Sequence, residues 1–269
     1  MLNLPLSNQQ TYLYPTLITL YLLSISSTLM ANGEGQWKYT LGADYQTGDY
    51  GGTDDTDIFS IPISAKYSKG PWSGKVSASL IRIDGPDDVV GGGDSVSVIR
   101  DTQTVTDRSE TGIGDIWTSV TYAVENIPPE QFYLDLTAKL KIPTADEDDG
   151  LGTGEVDYTL QADFFKSMDR YTPMATIARK FKGDPSGISL DDVWYLSAGS
   201  DYRWDDKNNI GLTLDHQEAS SSGGDDALEF FGYWTLKVNR QRSITFYATL
   251  GLDDGSPDQG AGVQFTYKP

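Results

Sequence analysis

The chain has 269 residues and no cysteine, which excludes disulfides, thiolate metal sites and cysteine nucleophiles. Its formal net charge of −19, from 39 acidic and 20 basic side chains, argues against nucleic acid as a partner, because phosphate contacts need clustered Lys and Arg. A mean hydropathy of −0.39 does not exclude a membrane protein, since a transmembrane β-barrel turns only alternate strand residues to lipid.

Aromatic content of 12%, with 16 Tyr and 6 Trp, suits the girdles that such barrels place at membrane interfaces. A soluble periplasmic β-protein with an aromatic core is the alternative.

The first predicted element is a signal peptide over residues 1–31. An apolar run at 17–23 continues through 24–30 and turns polar at Asn32, Gly33 and Glu34, with cleavage expected near Ala31. The run is too short and too rich in hydroxyls for a spanning helix of about 20 apolar residues. No Lys or Arg precedes Lys38, a departure from the usual positive start, so an uncleaved anchor is the rival reading. Residues 32–269 then form one outer-membrane β-barrel domain.

From residue 36 onward, apolar and polar residues alternate with period two, the pattern of strands with one apolar face. Trp37, Tyr39, Leu41, Ala43 and Tyr45 mark the first strand. Less regular strands follow at 58–68, 72–83 and 112–125. Phe132, Leu134, Leu136, Ala138, Leu140 and Ile142 give the clearest run, and Val156, Tyr158, Leu160, Ala162 and Phe164 the next. After a strand at 171–182, alternation returns in Trp194, Leu196, Ala198, Tyr202 and Trp204. Beyond 208–218 it returns in Leu228, Phe230, Trp234 and Leu236, then in Ile244, Phe246, Ala248, Leu250 and Leu252, and last in Ala261, Val263, Phe265 and Tyr267. That makes about twelve strands, an even number as bacterial single-chain barrels require.

The connections alternate between tight and long. Tight ones fall at 69–71, 126–131, 167–170, 205–207 and 239–242; long ones fall at 48–57, 85–111, 145–154, 183–192, 219–226 and 253–259. An all-β, antiparallel up-and-down barrel with both termini in the periplasm predicts this order. The longest connection, 85–111, holds Val96, Val98 and Ile99. It could fold inward as a constriction or cover the mouth, and a mobile external loop is the reading preferred.

If the apolar faces meet lipid, the lumen receives Lys38, Asp44, Lys66 and Lys75 from the first three strands. Asp135, Lys139, Lys141, Asp157 and Asp163 follow from the middle of the chain. Asp201, Arg203, Asp215, Glu229 and Lys237 come from the last third. These are the candidate pore-lining residues. Buried charges must be hydrated or paired, so the lumen is either a narrow wet channel or a lattice of ion pairs that fills it.

Other motifs carry less. Gly91-Gly92-Gly93 and Gly112-Ile113-Gly114 lack the Lys-Ser/Thr and the strand-to-helix context of a phosphate loop. The acid run 146–149 could hold calcium, but Gly150 stands where an EF-hand wants Asp or Asn, and a solvated loop is the reading preferred. His216 is the single histidine, so a Ser-His-acid enzyme could be built only around it; no nucleophile elbow accompanies it, and it reads as a loop-edge surface residue. No catalytic residue, cofactor or metal site is assigned.

Several glycine-bearing stretches stand in a characteristic order and spacing: Thr111-Gly112-Ile113-Gly114-Asp115-Ile116; Lys139-Leu140-Lys141-Ile142-Pro143-Thr144-Ala145-Asp146; Leu151-Gly152-Thr153-Gly154 with Asp157; Phe181-Lys182-Gly183-Asp184-Pro185; Ser197-Ala198-Gly199-Ser200-Asp201-Tyr202; and 251–257. In these the sequence resembles the "MetA-pathway of phenol degradation" transporter-like outer-membrane barrels. Ala145 stands where that family usually has Gly. The resemblance implies a barrel with a transport role and solutes that include hydrophobic or aromatic ones.

The expected function is therefore a passive outer-membrane channel for small solutes, and not an enzyme. Its expected partners are the solute, outer-membrane lipid and lipopolysaccharide, and the barrel-assembly machinery during biogenesis. A structural or adhesive barrel that transports nothing is the first rival, and a lipid-modifying enzyme around His216 the second.

Overall fold

A computed structural model describes residues 35–92, 95–98, 107–127, 132–185 and 187–269. The expected signal peptide, 1–31, and Ile99 of the longest connection lie outside the described residues.

Fifteen strands are formed among them: β1 (Gln36–Gly48), β2 (Thr56–Lys69), β3 (Trp72–Pro86), β4 (Val89–Gly92), β5 (Ser95–Val98), β6 (Asp107–Ile113), β7 (Ile116–Ile127), β8 (Phe132–Ile142), β9 (Asp157–Lys166), β10 (Tyr171–Phe181), β11 (Val193–Arg203), β12 (Asn208–Gln217), β13 (Ala227–Lys237), β14 (Arg242–Gly251) and β15 (Gln259–Tyr267). β1 to β3, and β7 to β15, each pair antiparallel with the next strand in sequence, and β1 pairs with both β15 and β2, which closes the sheet. β3 pairs along one half with β7, at Ser77↔Trp117, and along the other with β6, at Leu80↔Ile113. Strands β6 and β7 therefore form one stave interrupted at Gly114 and Asp115. With that stave counted once and the β4–β5 hairpin set aside, the closed barrel has twelve antiparallel staves.

Period-two alternation explains the wall. Along β9, Tyr158 and Leu160 are about half exposed, while Asp157, Thr159, Gln161 and Asp163 are buried. In a closed barrel the buried set faces inward. The outside is an apolar band of residues such as Leu41, Leu136, Leu160, Leu212 and Leu250.

Cross-strand aromatic partners border that band at the short-turn end: Trp37↔Tyr67, Trp72↔Tyr122, Tyr171↔Tyr202 and Trp234↔Phe246, with ring centroids 4.8–5.6 Å apart. Tyr45, Tyr158 stacked on Phe181 at 4.7 Å, and Trp194 stand at the other end. Eight residues separate Trp37 from Tyr45, about 26 Å along a strand. A tilt of about 40° reduces this to roughly 20 Å, close to the apolar height of a transmembrane barrel.

The longest connection is not the mobile external loop preferred for it but takes the alternative of covering the mouth. Its strands β4 and β5 form a hairpin, Val89↔Val98 to Gly92↔Ser95, and Val89 and Val90 are buried. Val89 packs in one cluster with Tyr50, Ile58, Ile81, Ile83 and Leu151. Ile58, Ile81 and Ile83 occupy inward positions of β2 and β3, so this apolar patch of the inner wall draws the hairpin and the 145–154 loop over the mouth.

Candidate functional site

The interior wall is built from short polar side chains that bond to one another across strands. Thr121 and Thr137 share a hydroxyl hydrogen bond of 2.9 Å, as do Thr235 and Thr245. Buried carboxylates are met by neutral donors. Tyr247 Oη donates to Asp44 at 2.7 Å, Tyr233 Oη to Asp201 at 3.2 Å, and Asn209 Nδ2 to Asp201 at 2.9 Å. Thr176 Oγ1 and Gln161 Nε2 each donate to Asp163 at 2.7 Å, and Ser197 donates to Asp215.

Two glycines make the tyrosine contacts feasible. A Cβ at Gly262 would lie 2.3 Å from the Tyr247 ring, and one at Gly211 would lie 2.1 Å from the Tyr233 ring. Each tyrosine lies across the glycine opposite it in register, Gly211↔Tyr233 and Gly262↔Tyr247. The bare backbone leaves room for a ring to lie along the wall and reach an aspartate beyond it.

At the long-loop end, four charges are held in one buried cluster. Lys141 Nζ lies 3.0 Å from Asp157 Oδ2 and 3.4 Å from Asp115 Oδ2, and donates to Thr153 Oγ1 at 2.7 Å. Lys182 Nζ approaches Asp157 Oδ2 at 3.6 Å. Backbone amides complete the carboxylates: Thr144 and Ala145 donate to Asp115 Oδ1 at 3.0 Å each, and Gly183 to Asp157 Oδ1 at 3.0 Å. Two cations balance two anions, the condition on which charges can be buried without a heavy cost.

The cluster also fixes the loop. Asp115 interrupts the β6–β7 stave and catches the chain as it leaves β8, and Thr144 Oγ1 donates to the Gly114 carbonyl at 3.1 Å. The loop is thereby anchored where Leu151 enters the apolar patch. Arg108 donates to the Val89 carbonyl and, at 3.4 Å, to that of Gly150, which joins the hairpin to the same loop.

All fourteen charged residues expected to line the lumen lie on inward positions of their strands, in two levels. Asp44, Lys141, Asp157, Asp215 and Glu229 stand toward the long-loop end. Lys38, Lys66, Lys75, Asp135, Asp163, Asp201, Arg203 and Lys237 stand toward the short turns, with Lys139 between, opposite Thr159. Arg203 extends to the rim, where it donates to the Asp169 carbonyl at 2.9 Å in the 167–170 turn.

Sequence reasoning missed Asp115, Lys182 and Thr153 of the buried cluster, and Lys268 at the other end, because all four stand outside the strands, where alternation has no reach. The signal for the first three was the glycine-bearing stretches themselves: Gly114-Asp115, Lys141-Ile142-Pro143-Thr144, Gly152-Thr153 and Lys182-Gly183 all converge on this cluster.

The acid run serves a turn: Asp146 Oδ1 accepts the amides of Asp148 and Asp149 at 3.0 and 3.3 Å. His216 lies on the outward face of β12, its Nε2 3.6 Å from Asp226 of the adjoining loop.

No family model and no curated protein matches the sequence. Solved structures do. An outer-membrane channel of the COG4313 group from Pseudomonas putida F1 superposes with a TM-score of 0.65 at 14% identity, over 89% of this chain and 97% of that one. The NanC porin superposes with a TM-score of 0.55 at 10% identity, over 86% of this chain and all of that one. At such identities the likeness is one of fold: the chain shares the architecture of these membrane barrels along nearly its whole described length.

Proposed function

We propose that the protein is a passive outer-membrane channel for small solutes, reached after removal of a signal peptide over 1–31. One observation carries the reading: a closed twelve-stave barrel with an apolar, aromatic-bordered outside and a polar, charged inside, an arrangement suited to lipid without and water within. The superposed structures are membrane channels and porins by their descriptions, which supports the same location and role.

The fourteen inward charges, from Lys38 to Lys237, are the residues proposed to set which solutes pass. The resemblance to the "MetA-pathway of phenol degradation" barrels supports a range that includes hydrophobic and aromatic solutes. Outer-membrane lipid, lipopolysaccharide at the acidic loops and the assembly machinery are its proposed partners.

The path is narrow. Thr137, Thr159, Asp163, Thr245, Thr249 and Gln264 are buried by their neighbours on the interior wall, and the mouth is covered by the hairpin and the 145–154 loop. That packing favours, as a second reading, a structural barrel whose interior is filled. Liposome swelling separates the two: sugars and organic acids of one or two carbons per charged or hydroxyl group should enter barrel-loaded vesicles faster than empty ones, and equal rates would favour the filled barrel.

A further inference from the structure

We propose that a lysine arc on the inner wall at the short-turn end binds small carboxylate-bearing solutes, an inference that rests on the channel reading above and assigns its substrate class. Lys38, Lys66 and Lys75 are direct register partners on three adjacent staves, Lys38↔Lys66 and Lys66↔Lys75. Lys268 follows Tyr267, whose partner Tyr39 adjoins Lys38, and continues the arc onto the last stave. Lys237 of β13 stands on the same rim, two staves beyond Lys268.

Such stacking is opposed by elementary electrostatics. Neighbouring staves lie about 4.8 Å apart, and like charges placed directly opposite destabilise a sheet. In a chain of net charge −19 with only 20 basic side chains, gathering five of them on one half of one rim is the reverse of what pairing for stability would give.

The acids across the lumen do not undo this. Asp135 and Asp163 are register partners on β8 and β9, within electrostatic reach of Lys66. Asp163 is already met by Thr176 and Gln161, and Asp201 by Tyr233 and Asn209. One half of the rim therefore presents lysines alone, while the other mixes Asp135, Asp163 and Asp201 with Lys139 and Arg203, and two of its three carboxylates are met by neutral donors. The field runs across the lumen, and an anion is held to the lysine wall while the opposite wall repels a second charge.

That geometry selects by size. Each ammonium is a compact charge with three donors that suits a carboxylate oxygen. A polyanion wide enough to span the lumen would meet the aspartates, whereas a mono- or dicarboxylate of a few carbons can stay on one wall.

Two measurements test the arc. In planar bilayers under a tenfold KCl gradient, the reversal potential should show chloride preferred over potassium by about threefold or more, falling to about one in the Lys38→Gln/Lys66→Gln/Lys268→Gln variant. Titration calorimetry of succinate into the refolded barrel in detergent should show binding that the triple variant weakens about tenfold.

A conducting barrel that prefers potassium, or a triple variant with the parent's permeability ratio, overturns the arc and leaves the channel standing. Absence of conductance overturns the channel reading, and absence of succinate heat in the same preparation then overturns the arc as well. Should the triple variant fail to fold by heat-modifiable migration, Lys38→Gln alone must lower the chloride preference, and an unchanged ratio there is equally fatal.

Discussion

Leu151→Ala probes the closed mouth most sharply. Leu151 is fully buried against Tyr50, Ile58, Ile81, Ile83 and Val89, and its Cδ1 lies 2.6 Å from where a Cβ at Gly112 would stand. The substitution removes three carbons, about 2.4 kcal/mol of transfer energy at roughly 0.8 kcal/mol each. A cavity term raises the cost to about 3 kcal/mol, since the barrel wall cannot collapse onto the vacated space.

That energy belongs to docking of the 145–154 loop more than to the staves, whose pairing is untouched. It should shift the docked-to-released ratio of the loop by about 100-fold. Single-channel recording reads this directly: the variant should spend more time in a wider conductance state, while its midpoint of denaturation in detergent moves little. Parent-like conductance and dwell times would refute the claim that Leu151 holds the loop over the mouth.

Further outcomes follow from the same structure. Lys141→Met should destabilise the barrel by about 3–5 kcal/mol in guanidinium unfolding, because Asp115 keeps its amide donors but loses its cation; adding Asp115→Asn should recover part of the loss. Gly262→Ala should displace the Tyr247 ring and cost the Asp44 carboxylate a hydrogen bond of about 1.5–3 kcal/mol, an effect that should shrink in a Tyr247→Phe background. Leu212→Arg, on the apolar outside of β12, should cost about 2–4 kcal/mol in lipid vesicles; a protein equally stable with the arginine would not have Leu212 in lipid.

In the 205–207 turn, the Asn208 side chain and then the Lys207 amide hold the Asp205 carboxyl below its usual range. The carboxylate's contribution is full above the ordinary carboxylate pKa of about 4 and is lost as pH falls through the lower folded value. Stability measured from pH about 5 down to 2 should fall less steeply for Asp205→Ala than for the parent.

The wall of the barrel was legible because alternation is a local property. Phe132, Leu134 and Leu136 with Tyr133, Asp135 and Thr137 specify a two-faced strand without reference to anything distant, and the sorting of tight and long connections set the two ends. What was not legible depends on contacts across the sheet. The strand expected at 112–125 begins instead at Asp107 and breaks at Asp115, because that carboxylate accepts amides from residues about thirty positions away. Val89 and Val90 are too short a run to distinguish an outer loop from a hairpin, and only the isoleucines of β2 and β3 decide between them. Lys182 and Lys268 stand just past strand ends, where a period-two pattern no longer says which way a side chain points.

Ionic conductance of the refolded barrel in a planar bilayer tests the central claim most directly. Stepwise current increments on insertion, of one size class and ohmic near zero voltage, are the predicted result. A barrel that migrates in the heat-modifiable form, inserts stably and yet passes no current would contradict the account and leave a filled structural barrel in its place.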